Sequence, residues 1–146
     1  MRIRRAERPD LAALEALLVG AGLPTAGVEA ALPGFLVAEE DGRLVGAAGL
    51  EVHGSDGLLR SVVVEDRHRG RGLAGRLTAG VLDGARASGL RRVYLLTTTA
   101  EGYFSRHGFR RIDRSEASPE VQGSVEFREA CPASAAAMVL ELETDG

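Results

Sequence analysis

The chain has 146 residues, of which 45% are hydrophobic and 27% charged, with mean hydropathy −0.02 and a formal charge of −3. This composition excludes general disorder, the acidic balance argues against a general nucleic-acid binder, and no apolar run approaches the ~20 residues of a membrane span. A lone cysteine, Cys131, excludes an internal disulfide and a multi-cysteine metal site.

The length predicts one domain over residues 1–146. Met1-Arg2-Ile3-Arg4-Arg5 lacks the apolar core of a signal peptide, so a cytoplasmic location is expected. Ile3 to Ala6 suits a short strand. Pro9-Asp10 opens a helix whose Leu11, Leu14, Leu17 and Leu18 share one face, and Gly20-Ala21-Gly22 ends it. A second short helix is expected from Thr25 to Leu32. Phe35–Glu40 reads as a strand, Asp41-Gly42 as a two-residue hairpin turn, and Arg43 to about Val52 as the returning strand. Gly54-Ser55-Asp56-Gly57 makes the next turn. Leu58 to Val64 follows as a strand, where β-branched Val62, Val63 and Val64 favour the extended state.

At Glu65 the pattern changes to a polar loop, Glu65-Asp66-Arg67-His68-Arg69-Gly70-Arg71-Gly72. A helix follows, with Leu73, Leu77, Val81 and Ala85 at helical spacing and Gly89 as its stop. Arg92–Leu96 is an apolar strand, so residues 58–97 form a strand–loop–helix–strand unit of the kind that joins parallel strands. Ala100–Arg106 suits a short helix ended by Gly108, Phe109–Ile112 a strand, Pro119 the start of a further helix, and Ala135–Leu142 a last strand. The fold class is α/β (α+β), with an antiparallel front half.

Chemistry concentrates at Arg69-Gly70-Arg71-Gly72-Leu73-Ala74. A helix N-terminus presents unpaired N–H groups and about half a positive charge, and glycines let a backbone approach an anion closely. Arg69 and Arg71 can add charge-assisted hydrogen bonds. The charge distribution agrees: residues 60–92 hold eight Arg against three acids, while the rest holds ten against eighteen, which suggests a small anionic partner bound at one place. The loop lacks the Gly-Lys-Ser/Thr of a Walker loop and the Gly-x-Gly-x-x-Gly dinucleotide spacing. The three histidines, His53, His68 and His107, show no ligand spacing, so no metal is expected.

Arg69-x-x-Gly72-x-Ala74 after a strand resembles the Arg/Gln-x-x-Gly-x-Gly/Ala signature of the GNAT superfamily of acyl-CoA-dependent N-acetyltransferases. Phe104-Ser105-Arg106-His107-Gly108-Phe109 resembles that family's aromatic-x-x-x-Gly-Phe corner, and the order of elements fits from Ile3 to Leu142. The resemblance implies a central mixed sheet of six or seven strands with one parallel crossover pair and helices on both faces. It implies acetyl-CoA as co-substrate, its pyrophosphate on the amides of Arg69, Gly70, Arg71, Gly72, Leu73 and Ala74. The pantetheine arm would pair with Val62, Val63 and Val64, near a splay from the strand Arg92–Thr97 where the thioester sits. Thr97 stands where the family often has Asn, and Phe104 where many members have an acidic Tyr. Tyr103, one residue along a helix, should point elsewhere.

Direct transfer to an amine needs a base. Alternation along Leu58–Val64 places Leu58, Arg60, Val62 and Val64 on one face, so Arg60 would flank the acyl site and suit an anionic substrate. Glu51 is the first candidate for base or ammonium anchor, and His53 the second. The alternative for Glu51 and Arg60 is a cross-strand ion pair. Cys131 reads as a small buried hydrophobe. Leu58–Val64, Tyr94–Glu101 and Cys131-Pro132-Ala133-Ser134 further resemble acetyltransferases associated with bacterial arsenic-resistance operons. The expected reaction is acetylation of a small-molecule amine with an anionic, amino-acid-like group. The competing readings are a non-catalytic acyl-CoA sensor and a protein N-acetyltransferase. Dimers are common in the family, so a homodimer is allowed.

Overall fold

Asp41 and Gly42 both take positive φ, 53° and 77°, the geometry of a type I′ hairpin turn. They join β2 (Phe35–Glu40) to β3 (Arg43–His53) as the sequence predicts. The computed structural model describes residues 1–130 and 134–142, so Cys131 lies outside the described residues. The other strands are β1 (Arg2–Arg5), β4 (Asp56–Val64), β5 (Arg92–Thr97), β6 (Arg110–Ile112) and β7 (Ala136–Glu141). They form one seven-stranded sheet in the order β1-β2-β3-β4-β5-β7-β6. Only β4 and β5 are parallel among the strand pairs whose register is described; β1–β2, β2–β3, β5–β7 and β6–β7 are antiparallel. The helices are α1 (Leu11–Gly20), α2 (Val28–Ala31), α3 (Leu73–Ala87), α4 (Glu101–Arg106) and α5 (Pro119–Gln122).

Two differences from the predicted elements have local causes. The turn after β3 takes only Gly54 and Ser55, because Gly54 alone supplies the positive φ of 67°. Asp56 and Gly57 are thereby released into β4, where they pair with Arg92 and Val93. The second helix shrinks to Val28–Ala31, since Gly27 enters it at φ 81° and Pro33 carries the chain into a 3₁₀ turn over Leu32–Gly34.

The chain divides into two compact units, one of residues 1–51 and 59–84, the other of residues 52–58 and 85–146. In the first, Leu14 and Leu18 of α1 and Val28 of α2 bury against Phe35, Val37, Leu44, Ala47 and Val63. Leu11 and Leu17, expected on the same face, are only partly buried and pack at its border. The opposite face of these strands receives α3. A side chain at Gly46 would meet Leu73 and Leu77, and one at Gly80 would meet Leu36. Helices therefore cover both faces here, which is why β2 and β3 read as nearly continuous apolar runs. In the second unit, Leu58, Tyr94, Ile112, Ala117, Val121, Phe127, Ala137 and Val139 make a separate core.

Ser61 interrupts β4 with a φ of 58°. A non-glycine residue in that region within a strand marks an inserted residue that shifts the side-chain parity. The alternation expected along Leu58–Val64 therefore fails. Val63, not Val62, joins the core formed with α1 and α2, and Arg60 turns to that same side, where it meets Pro24.

Candidate functional site

The loop after β4 is shaped by its own short-range bonds. Glu65 N–H donates to the Val45 carbonyl at 2.8 Å, and the 3₁₀ turn Asp66–His68 closes with His68 N–H to the Glu65 carbonyl at 2.8 Å. Gly70 and Gly72 then take φ of 80° and 75°. A Cβ at either would meet nothing within 4 Å, so conformation, not crowding, requires glycine there, and the space over both is open. The first bond of α3 runs from Arg76 N–H to the Gly72 carbonyl at 3.1 Å. The N–H groups of Leu73, Ala74 and Gly75 thus have no helical acceptor behind them. Main-chain N–H groups arranged in this way are able to receive an anion.

The cations around the loop are not equivalent. Arg69 is exposed and is held along the loop, donating to the Val64 carbonyl at 3.3 Å and pairing with Asp66 at 3.2 Å. The side chains of Arg71 and Arg76 are exposed and make no hydrogen bond or ion pair among the described residues. The loop is also fastened from below. Arg43 donates to both carboxylate oxygens of Glu65, at 2.5 and 3.0 Å, and holds that carboxyl below the usual carboxylate range. His68, 8% exposed, places Nε2 2.6 Å from Glu40 and Nδ1 3.4 Å from Glu65.

Glu51 and Arg60 form a closed unit. The Arg60 side chain is fully buried. Its guanidinium donates to Glu51 Oε2 at 2.6 Å, Ser61 Oγ at 3.0 Å and the Pro24 carbonyl at 3.3 Å, beside Gly27. The cross-strand ion pair that the sequence allowed for these two residues is present. It is a buried one, tying the segment before α2 to the bulged part of β4 and to Glu51 near the end of β3. His53 closes β3 and is half-buried.

In the second unit, Thr97 ends β5, and its hydroxyl accepts from Ala100 N–H at 3.0 Å, shaping the turn into α4. Phe104 is buried and packs edge-to-face on Phe109 at 5.8 Å. The Tyr103 ring lies 5.1 Å from that of Phe104, edge to face, and 4.7 Å from that of His107, with the Arg106 guanidinium 6.0 Å from its centroid. The parallel register of β4 on β5 covers Asp56, Gly57 and Leu58. Sequence reasoning missed His68 and Glu40. The available signal was a histidine three residues after Glu65 inside the loop. Among the described residues no cluster of metal-ligating side chains occurs and no helix is long and apolar enough to cross a membrane.

Residues 32–111 match the family described as the acetyltransferase (GNAT) domain, a span that runs through both units. The chain is 34% identical over 131 residues to an amino-acid acetyltransferase of Mycobacterium tuberculosis, covering 82% of this chain and 74% of that protein. Among solved structures it resembles Rv2747 of Mycobacterium tuberculosis, in complex with CoA (TM-score 0.82, 28% identity, 98% of this chain and 100% of that one). It also resembles the N-acetylglutamate synthase of Neisseria gonorrhoeae, complexed with CoA and N-acetyl-glutamate (TM-score 0.85, 23% identity, 98% of this chain). This chain spans 35% of the length of the Neisseria protein, and that likeness concerns the fold.

Proposed function

Because this chain belongs to the GNAT family of acetyltransferases, we propose that it acetylates the α-amine of a free amino acid with acetyl-CoA, an acidic amino acid being the first substrate to test. The observation that carries this reading is the glycine loop opening α3, with two left-handed glycines, open space above them and the exposed guanidinium of Arg71 beside them. The amino-acid class is supported by the name of the 34% identical relative.

The main-chain N–H groups of Gly70, Gly72, Leu73 and Ala74 would hold the diphosphate, with Arg71 and Arg76 adding charge. The backbone of Val62–Val64, past the β4–β5 register, would align the pantetheine chain. Bound acetyl-CoA supplies the activated acyl group. The chain itself supplies orientation, which in such transfers is worth a large part of the barrier. We assign the removal of the ammonium proton to Glu51. Arg60 acts as a positioning residue that fixes the carboxylate. His53 is the second candidate. Phe104 cannot donate a proton, but a thiol with a pKa of about 8.5 leaves readily as thiolate and is protonated by water.

Release of free thiol from acetyl-CoA, followed across amino acids, simple amines and a lysine peptide, tests this. Turnover with amino acids, fastest for the acidic ones, is expected. CoA binding without turnover on any amine would instead identify a sensor, and turnover on the peptide alone a protein acetyltransferase. The finer likeness to acetyltransferases associated with arsenic-resistance operons rests on three short segments, and comparing growth on arsenite with and without the gene would test it.

A further inference from the structure

We propose that His68 is a positioning residue for the cofactor loop and acts as a clasp between two carboxylates, so that CoA affinity is set by its protonation. The proposal rests on the reading of that loop as the CoA cradle.

In a 3₁₀ turn, residues three apart stack on one side. Glu65 and His68 are related in that way, which brings the imidazole beneath the Glu65 carboxylate, Nδ1 to Oε1 3.4 Å. The other nitrogen reaches Glu40 Oε2 at 2.6 Å. Glu40 and Arg43 are the residues flanking the Asp41-Gly42 turn, and they hold the two ends of the same 3₁₀ turn: Arg43 holds Glu65 and Glu40 holds His68. The charged groups facing the ring are thus Glu40 from β2 and Glu65 from the loop itself. Arg43 of β3 is bonded to Glu65, and Arg67 lies 3.9 Å from it.

An imidazolium hydrogen-bonds Glu40 through Nε2 and presents its second N–H, buried and without a hydrogen-bond partner among the described residues, 3.4 Å from the Glu65 carboxylate as an ion pair. A neutral ring donates from one. The 2.6 Å contact claims that proton for Glu40, and Nδ1 then turns a lone pair toward the Glu65 carboxylate. That repulsion falls on the residue immediately before Arg69-Gly70-Arg71-Gly72, the segment whose amides must converge on a diphosphate. Histidine charge changes between about pH 5 and 8. The charged form therefore holds the cradle, and deprotonation loosens it.

The test is calorimetric titration with CoA from pH 6 to 8.5. Dephospho-CoA is run in parallel, because a phosphate monoester such as the 3′-phosphate titrates near pH 6 itself. For wild-type protein, Kd for both ligands should rise by about tenfold across the range, the size expected for one charge-assisted hydrogen bond. His68→Gln keeps one donor for Glu40 and cannot charge; its Kd should be flat with pH and close to the wild-type value at pH 8.5. His68→Phe should bind more weakly than His68→Gln throughout. Glu40→Gln, at a half-exposed strand end that tolerates substitution, should flatten the wild-type slope. Equal pH slopes in wild type, His68→Gln and Glu40→Gln would overturn the clasp while leaving the CoA site intact. Wild-type protein that bound no CoA at any pH would overturn the site as well.

Discussion

A fully buried guanidinium is tolerable only when its donors are met, and Arg60 meets Glu51, Ser61 and Pro24. Removing one member of such a pair leaves the other charge stranded, at a cost of about 3–5 kcal/mol. Arg60→Ala should therefore lower the free energy of unfolding by about that much in urea denaturation, and Arg60→Met with Glu51→Leu should recover most of it. A loss confined to KM for anionic amines, with stability unchanged, would return Arg60 to the role of substrate-carboxylate binder. Gly72 makes a contrasting case. Its φ of 75° has open space around it, so Gly72→Ala should cost about 1–2 kcal/mol from backbone strain alone. Gly72→Asn, a residue that visits this region, should cost less. Both are measurable by the same denaturation, and the loss in CoA affinity should follow the same order.

Among the elements, β1 and β2 are joined through Arg4, which reaches Asp10 at 2.8 and 2.9 Å and Glu39 at 3.1 Å. The hydrogen bond from Arg4 depresses the Asp10 carboxyl, and Arg43 depresses Glu65. A carboxyl with a lowered folded pKa stabilises the fold fully above its unfolded value of about 3.9–4.3. That contribution fades as the pH falls through the lower folded value. Asp10→Asn should therefore be less stable than wild type at pH 7, with the difference narrowing as the pH falls below the unfolded value and a flatter acid limb in urea midpoints against pH. The elements themselves were largely legible in the sequence. Asp41-Gly42, the three valines before Glu65, and the stops at Gly22, Gly89 and Gly108, all at positive φ, declare themselves by residue type. The bulge at Ser61 did not, because serine has no special claim to a left-handed φ and no glycine or proline in Leu58–Val64 marks the place. That one residue decides where Arg60 points, so the glycine loop before α3 was readable while the Arg60–Glu51 pairing, dependent on tertiary packing, was left with two readings.

For the whole molecule, the uneven charge is the property with consequences. An acidic protein with a surplus of arginine over residues 60–92 presents a local attraction for a polyphosphate within a field that repels it elsewhere. Raising ionic strength from 0.01 to 0.15 M shrinks the Debye length from about 30 to about 8 Å. Stopped-flow association with CoA should slow accordingly, with dissociation changing less. Ligand linkage gives a second reading at this scale: CoA at a hundredfold excess over Kd should add about 2.7 kcal/mol to stability and raise the melting temperature by several degrees.

The strand order carries one further consequence, for how the protein is made. β7 lies between β5 and β6, pairing with Arg92–Thr97 on one edge and Arg110–Ile112 on the other. It is also the last of the described strands to be synthesised. A nascent chain that has exposed β5 and β6 must keep both waiting, each with an unfilled edge, until Ala136–Glu141 leaves the ribosome. The β5–β6–β7 portion should therefore acquire protease resistance only after translation has passed Glu141, whereas the β1–β2–β3 portion can do so earlier.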